Sequence, residues 1–106
     1  MTESLNTLLQ EARKLLADVY GNRLNKVILF GSQARGDSSP ASDIDLMIIL
    51  DGSVHVGEEI ARTGALTANL SLKYDASISC LFVSADRYKK EQSPLLLNVR
   101  REGVAV

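Results

Sequence analysis

Apolar residues recur along this chain in two rhythms. From residue 3 to residue 20, Leu5, Leu8, Leu9, Ala12, Leu15, Leu16 and Val19 return at helical spacing, with Glu3, Gln10, Arg13, Lys14 and Asp18 between them. That pattern predicts an amphipathic helix. Thr2 or Ser4 is placed to cap its start and Gly21 to end it. The rhythm then shortens. Two runs rich in Val, Ile and Leu, at residues 26–30 and Ile44–Leu50, are bounded by Gly, Ser, Pro or Asp and predict buried strands. Residues 22–25 form the turn into the first, residues 37–42 a breaker-rich loop between them, and Asp51-Gly52 the turn after the second.

Helical spacing resumes over residues 54–72. Val56, Ile60, Ala61, Ala65, Leu66, Ala68, Leu70 and Leu72 make a small-residue apolar face suited to close packing on a sheet, while Gly57 and Gly64 weaken the helix. Residues 76–83 alternate. Ile78, Cys80 and Phe82 share one side, with Ser77, Ser79, Leu81 and Val83 on the other, which predicts a third strand. Ser84 opens a short helix through about Lys90, and Ser93-Pro94 opens another. Residues 103–106 are apolar enough for a short edge strand. This order of elements predicts an α/β two-layer domain, a small sheet covered mainly on one face.

Size and charge narrow the picture. A chain of 106 residues supports one domain, residues 1–106, with one core. Twelve basic and thirteen acidic residues give a net charge of −1, so no general basic field gathers a polyanion; nucleic acid stays an open question. Cys80 is the only cysteine, which excludes an internal disulfide and fits a reducing cytoplasm. No signal peptide and no membrane-spanning apolar run is visible.

The chemistry lies between the first two strands. Residues i and i+2 of a strand point to one face, so Asp43 and Asp45 project together while Ile44 and Leu46 pack the other way. Two adjacent carboxylates repel unless a cation lies between them, and such hard oxygens suit Mg²⁺ shared with substrate phosphates. Gly31-Ser32 supplies the other half: a strand ending in Gly and turning into a helix presents N–H groups to an anion, and the Ser32 hydroxyl can bond a phosphate oxygen. Arg35 is either a phosphate-neutralising cation or an exposed helix arginine. His55, the only histidine, reads as a cap or a surface residue.

Gly31-Ser32, ten residues, then Asp43-Ile44-Asp45 resembles the signature of the nucleotidyltransferase superfamily, the polymerase-beta-like fold. Gln33-Ala34-Arg35-Gly36-Asp37 and Ser42 also fit. The short length is similar to the minimal nucleotidyltransferases, the antitoxins paired with HEPN toxins. The resemblance implies a three- to four-stranded mixed sheet and Mg²⁺-dependent transfer of a nucleoside monophosphate from ATP or another triphosphate to a partner's hydroxyl. It implies Asp43 and Asp45 as catalytic metal ligands, with Gly31, Ser32 and Arg35 holding the nucleotide. A third carboxylate is usual on the third strand. Asp75 is the available candidate, or Ser77 or Ser79 occupies that position. A second reading stays open: a nucleotide- or protein-binding module that neutralises a HEPN ribonuclease by complex formation. Because successive helical residues point about 100° apart, Leu95, Leu96 and Leu97 cannot all be buried on one face, which marks a partner surface, for a HEPN-type protein or a second copy.

Overall fold

A computed structural model describes residues 3–36 and 43–106. Thr2 and the loop predicted at residues 37–42 lie outside them. The elements are α1 (Glu3–Tyr20), a 3₁₀ turn (Gly21–Arg23), β1 (Leu24–Phe30), α2 (Ser32–Arg35), β2 (Ile44–Leu50), α3 (Val56–Tyr74), β3 (Ile78–Ser84), α4 (Ala85–Lys90), α5 (Pro94–Glu102) and β4 (Val104–Ala105). The first strand starts two residues earlier than the pattern suggests. Gly21 takes φ +55°, which completes the reversal within three residues and lets Leu24 pair with Leu50.

The sheet order is β3-β2-β1-β4. β1 runs antiparallel to both β2 and β4, whereas β2 and β3 are parallel. A parallel pair needs a crossover, and α3 supplies it. β2 is therefore central, and its burial shows this: every residue from Leu46 to Leu50 is buried, on both faces.

One face of the sheet carries α1 and α3. Leu8, Leu9, Ala12 and Leu16 of α1 pack there against Val27, Leu29, Leu46, Ile48 and Phe82. Ile28, Met47, Ile49 and Val83 point to the opposite face and meet Leu96 and Val99 of α5. Each fully buried aliphatic side chain contributes about 1.5–3 kcal/mol through lost water contact. Of the α1 stripe, Val19 departs: it is exposed.

The apolar face predicted on α3 also departs. Val56 and Ile60 are each 55% exposed and Leu72 is 82% exposed, with Ala61, Ala65 and Ala68 outside as well. Of the predicted face Leu70 is buried and Leu66 packs against the core, but the helix also turns Glu59 and Thr63 inward. A fully buried glutamate is tolerable because its oxygens are satisfied. Glu59 accepts from the Tyr20 hydroxyl, the His55 backbone N–H and the Arg62 guanidinium. Burial pushes its pKa up, but these three donors outweigh it and hold the carboxyl below its ordinary value. Tyr20 is pushed up to about 12, by burial first and by Glu59 second. Among the described residues, no helix is long and apolar enough to cross a membrane.

Candidate functional site

The site forms where β1 ends and β2 begins, on the α5 face. Antiparallel register sets Phe30 opposite Asp45, so Gly31 arrives beside the Asp45 side chain. Gly31 has φ +75° and ψ −157°, a conformation reserved for glycine. A Cβ at this position would lie 2.6 Å from Asp45 Oδ2. Two independent constraints thus require glycine here, backbone angle and carboxylate proximity. The Gly31 carbonyl then accepts from the N–H groups of Ala34 and Arg35, turning the chain into the single turn of α2. The Ser32 N–H opens that turn.

Asp43 is exposed at the mouth of β2. Asp45 is half-buried one step further in, past buried Ile44. Burial first, and the neighbouring Asp43 charge second, push the Asp45 carboxyl above its ordinary value. Both causes penalise the ionised form, and a bound cation would relieve both. A phosphate-chelated Mg²⁺ fits this donor set, since that ion is usually held by one or two carboxylates together with substrate phosphates.

Asp75 is not brought to this pair. It is the C-cap of α3, in left-handed conformation at φ 49°, ahead of β3. Among the described residues, no group of three or more His, Cys, Asp or Glu side chains is close enough to hold a metal. The parallel register instead sets Ser79 beside Asp45. Of the serines weighed on the sequence, Ser79 occupies the matching place on the third strand.

Arg35 is half-exposed and sits 3.7 Å from Glu102 at the end of α5. With Phe30, Gly31, Leu95, Asn98 and Val99 they line a cleft of about 180 Å³ opening beside the Gly31 turn. Asn98 and Glu102 were missed on the sequence. Nothing local marks them; α5 reaches the turn because Leu96 and Val99 pack on the sheet and β4 pairs with β1 after it. His55 caps α3 without a side-chain bond, as expected of a cap or surface residue.

A glycine turn and a pair of carboxylates thus meet at one end of the sheet, on the α5 face. The nucleotidyltransferase domain family matches residues 8–97, and the chain belongs to that family: it is a nucleotidyltransferase. A Methanocaldococcus jannaschii protein named as a putative protein adenylyltransferase is 32% identical over 100 residues, covering 93% of this chain and 95% of that one. Two solved structures share the fold. A toxin–antitoxin complex with AMP-PNP gives a TM-score of 0.65 at 21% identity, over 91% of this chain and 69% of that one. A tri-AMPylated Shewanella oneidensis HEPN toxin in complex with an MNT antitoxin gives 0.59 at 19%, over 94% and 69%.

Proposed function

We propose that this chain transfers AMP from Mg²⁺–ATP to a hydroxyl on a protein partner, a HEPN-type toxin, in a reducing cytoplasm. The observation that carries the reading is the packing of Gly31 against Asp45, which joins the phosphate turn to the carboxylate pair. The 32%-identical relative named as a protein adenylyltransferase supports protein as the acceptor. The HEPN partner rests on the AMPylated toxin seen with a relative of the same fold.

In this reading the Gly31-Ser32 turn receives the triphosphate, with backbone N–H groups and the Ser32 hydroxyl as donors. Asp43 and Asp45 hold Mg²⁺, which supplies charge neutralisation along the phosphates when bound. Arg35 exchanges Glu102 for a phosphate oxygen. The acceptor hydroxyl releases its proton to solvent as its oxygen bonds to the α-phosphorus, the α–β bridge breaks and pyrophosphate leaves. The protein positions and stabilises, and forms no covalent intermediate. Asp75 keeps its place as the C-cap of α3 and takes no part in this reading.

Ser79 beside Asp45 favours a second reading: with a hydroxyl where a third carboxylate would sit, transfer is slow and the nucleotide-loaded protein neutralises its partner mainly by binding. Calorimetric titration of Mg²⁺–ATP into wild type, Asp43→Asn and Asp45→Asn tests the shared premise. Binding lost in both variants is expected, and unchanged affinity in both overturns the site.

A further inference from the structure

Phosphoryl displacement has a direction. The acceptor oxygen bonds to the α-phosphorus on the side opposite the breaking α–β bridge, while its proton leaves to solvent. In the function proposed above, the departing pyrophosphate lies at the Gly31-Ser32 turn. That turn is on the β1 flank of Asp45, where Phe30 is its paired residue. The opposite flank is β3, where Ser79 is paired with Asp45. β3 is the outermost strand on that side of the sheet. An acceptor attacking in line therefore arrives across β3.

Ser79, Leu81 and Val83 share the face of Asp45, because they pair with Asp45, Met47 and Ile49. Met47, Ile49 and Val83 are buried there with α5, and Ala85 and Tyr88 of α4 pack on the same cluster. Among the described residues that cover ends at Val83, which is 4% exposed, whereas Leu81 is 43% exposed. Leu81 belongs to neither apolar cluster of the core. Ser79 beyond it is exposed as well, and β3 carries no charge. With strands about 4.8 Å apart and a rise of about 3.3 Å per residue, Leu81 sits about 8 Å along the sheet from Asp45. The two flanks of the carboxylate pair thus differ in charge. Arg35 and Glu102 stand on the β1 side, in the cleft beside Gly31. The β3 side is neutral.

We propose that Leu81 is a positioning residue for the acceptor. The segment of the partner protein that carries the reactive hydroxyl crosses β3 on this face, and an apolar side chain beside that hydroxyl rests on Leu81. The inference rests on the nucleotide site and the protein acceptor proposed above. The direction of the reaction names the occupant, not the apolarity of the surface. The triphosphate runs to the charged flank, so the neutral flank is left for the group that attacks. Water as acceptor would gain nothing from an exposed leucine there, whereas a polypeptide segment gains by covering it. Ser79, small and uncharged, leaves room for the hydroxyl to reach the α-phosphorus.

The test compares wild type, Leu81→Lys and Leu81→Met in transfer of AMP to a purified HEPN-type partner, beside calorimetric titration of Mg²⁺–ATP. The position is exposed, so the fold tolerates the change, and unchanged melting checks this. Leu81→Lys should lower kcat/KM for the partner about tenfold or more, because a lysine would be covered without a counter-charge. Its affinity for Mg²⁺–ATP should stay that of wild type, and Leu81→Met should restore transfer. Wild-type transfer by Leu81→Lys overturns the role of Leu81 alone and leaves the proposed function standing. Loss of Mg²⁺–ATP affinity in Leu81→Lys also overturns it, since the surface would then hold the adenosine. A wild type that binds Mg²⁺–ATP and the partner but transfers nothing overturns the proposed function, and the role of Leu81 with it.

Discussion

Asp45 is half-buried beside a second carboxylate, and its pKa lies above the ordinary 3.8. A carboxyl with a raised folded pKa binds protons on folding, so stability falls as pH rises from the ordinary value through the raised one. Above that window the penalty is complete. Asp45→Asn should therefore raise the melting temperature of the metal-free protein at neutral pH, and the gain should vanish as pH drops below 3.8. Differential scanning calorimetry across pH reads both arms. Gly31→Ala acts in the opposite direction. Strain in a glycine-only conformation costs about 1–3 kcal/mol, and a domain this size loses about 4–8 °C per kcal/mol. Contact with Asp45 should also cost the variant its nucleotide affinity. At Asp75, Asn should keep both melting temperature and transfer near wild type. A loss of transfer on the order of a hundredfold in Asp75→Asn would return that residue to the metal clamp.

Among the elements, α3 departs furthest from its sequence pattern. Ala61, Ala65, Ala68 and Leu72 suggested an inward face, yet they lie outside while Glu59 and Thr63 are buried. Periodicity locates a helix but not always which side is covered, because apolar surface is common outside a protein and a charged residue can be buried when paired. The partners that permit Glu59 include Tyr20, 39 residues away, which no local pattern reveals. The Gly31-Ser32 turn and the Asp43–Asp45 pair were legible because their logic lies in adjacent residues and the period of a strand. Asn98 and Glu102 depend on how α5 crosses the sheet and were not. The pH behaviour of α3 follows from Glu59. Its lowered pKa gives stability that is present above the ordinary 4.5 and lost as pH falls through the lowered value. Glu59→Gln should lose about 1–3 kcal/mol at neutral pH and melt with less dependence on acid than wild type, since donors left unpaired in the interior carry that cost. Thermal melts at neutral and acid pH measure it.

At the scale of the whole molecule, the proposed nucleotide site lies at the ends of β1 and β2, and α5 lines its cleft with Leu95, Asn98, Val99 and Glu102 while turning Leu97 outward. Leu96 is fully buried, whereas Leu95 and Leu97 on either side are 42% and 45% exposed. The expectation that three consecutive leucines cannot all be buried holds; Leu95 lines the cleft beside Gly31, so the proposed partner contact falls on Leu97. Leu97→Glu should weaken binding to a HEPN-type partner about tenfold or more while leaving the melting temperature close to wild type. Leu96→Glu would instead unfold the domain. Surface plasmon resonance with calorimetric Mg²⁺–ATP binding in parallel separates the two surfaces. In the proposed function Asp43 and Asp45 hold the Mg²⁺ without which AMP does not pass from ATP to a protein hydroxyl. The most direct measurement is intact mass spectrometry of a HEPN-type partner after incubation with this protein and Mg²⁺–ATP. Wild type should add AMP covalently to the partner and release pyrophosphate, and Asp43→Asn and Asp45→Asn should not. A partner left unmodified by wild type that binds both it and ATP, or modified equally by Asp45→Asn, would contradict the claim.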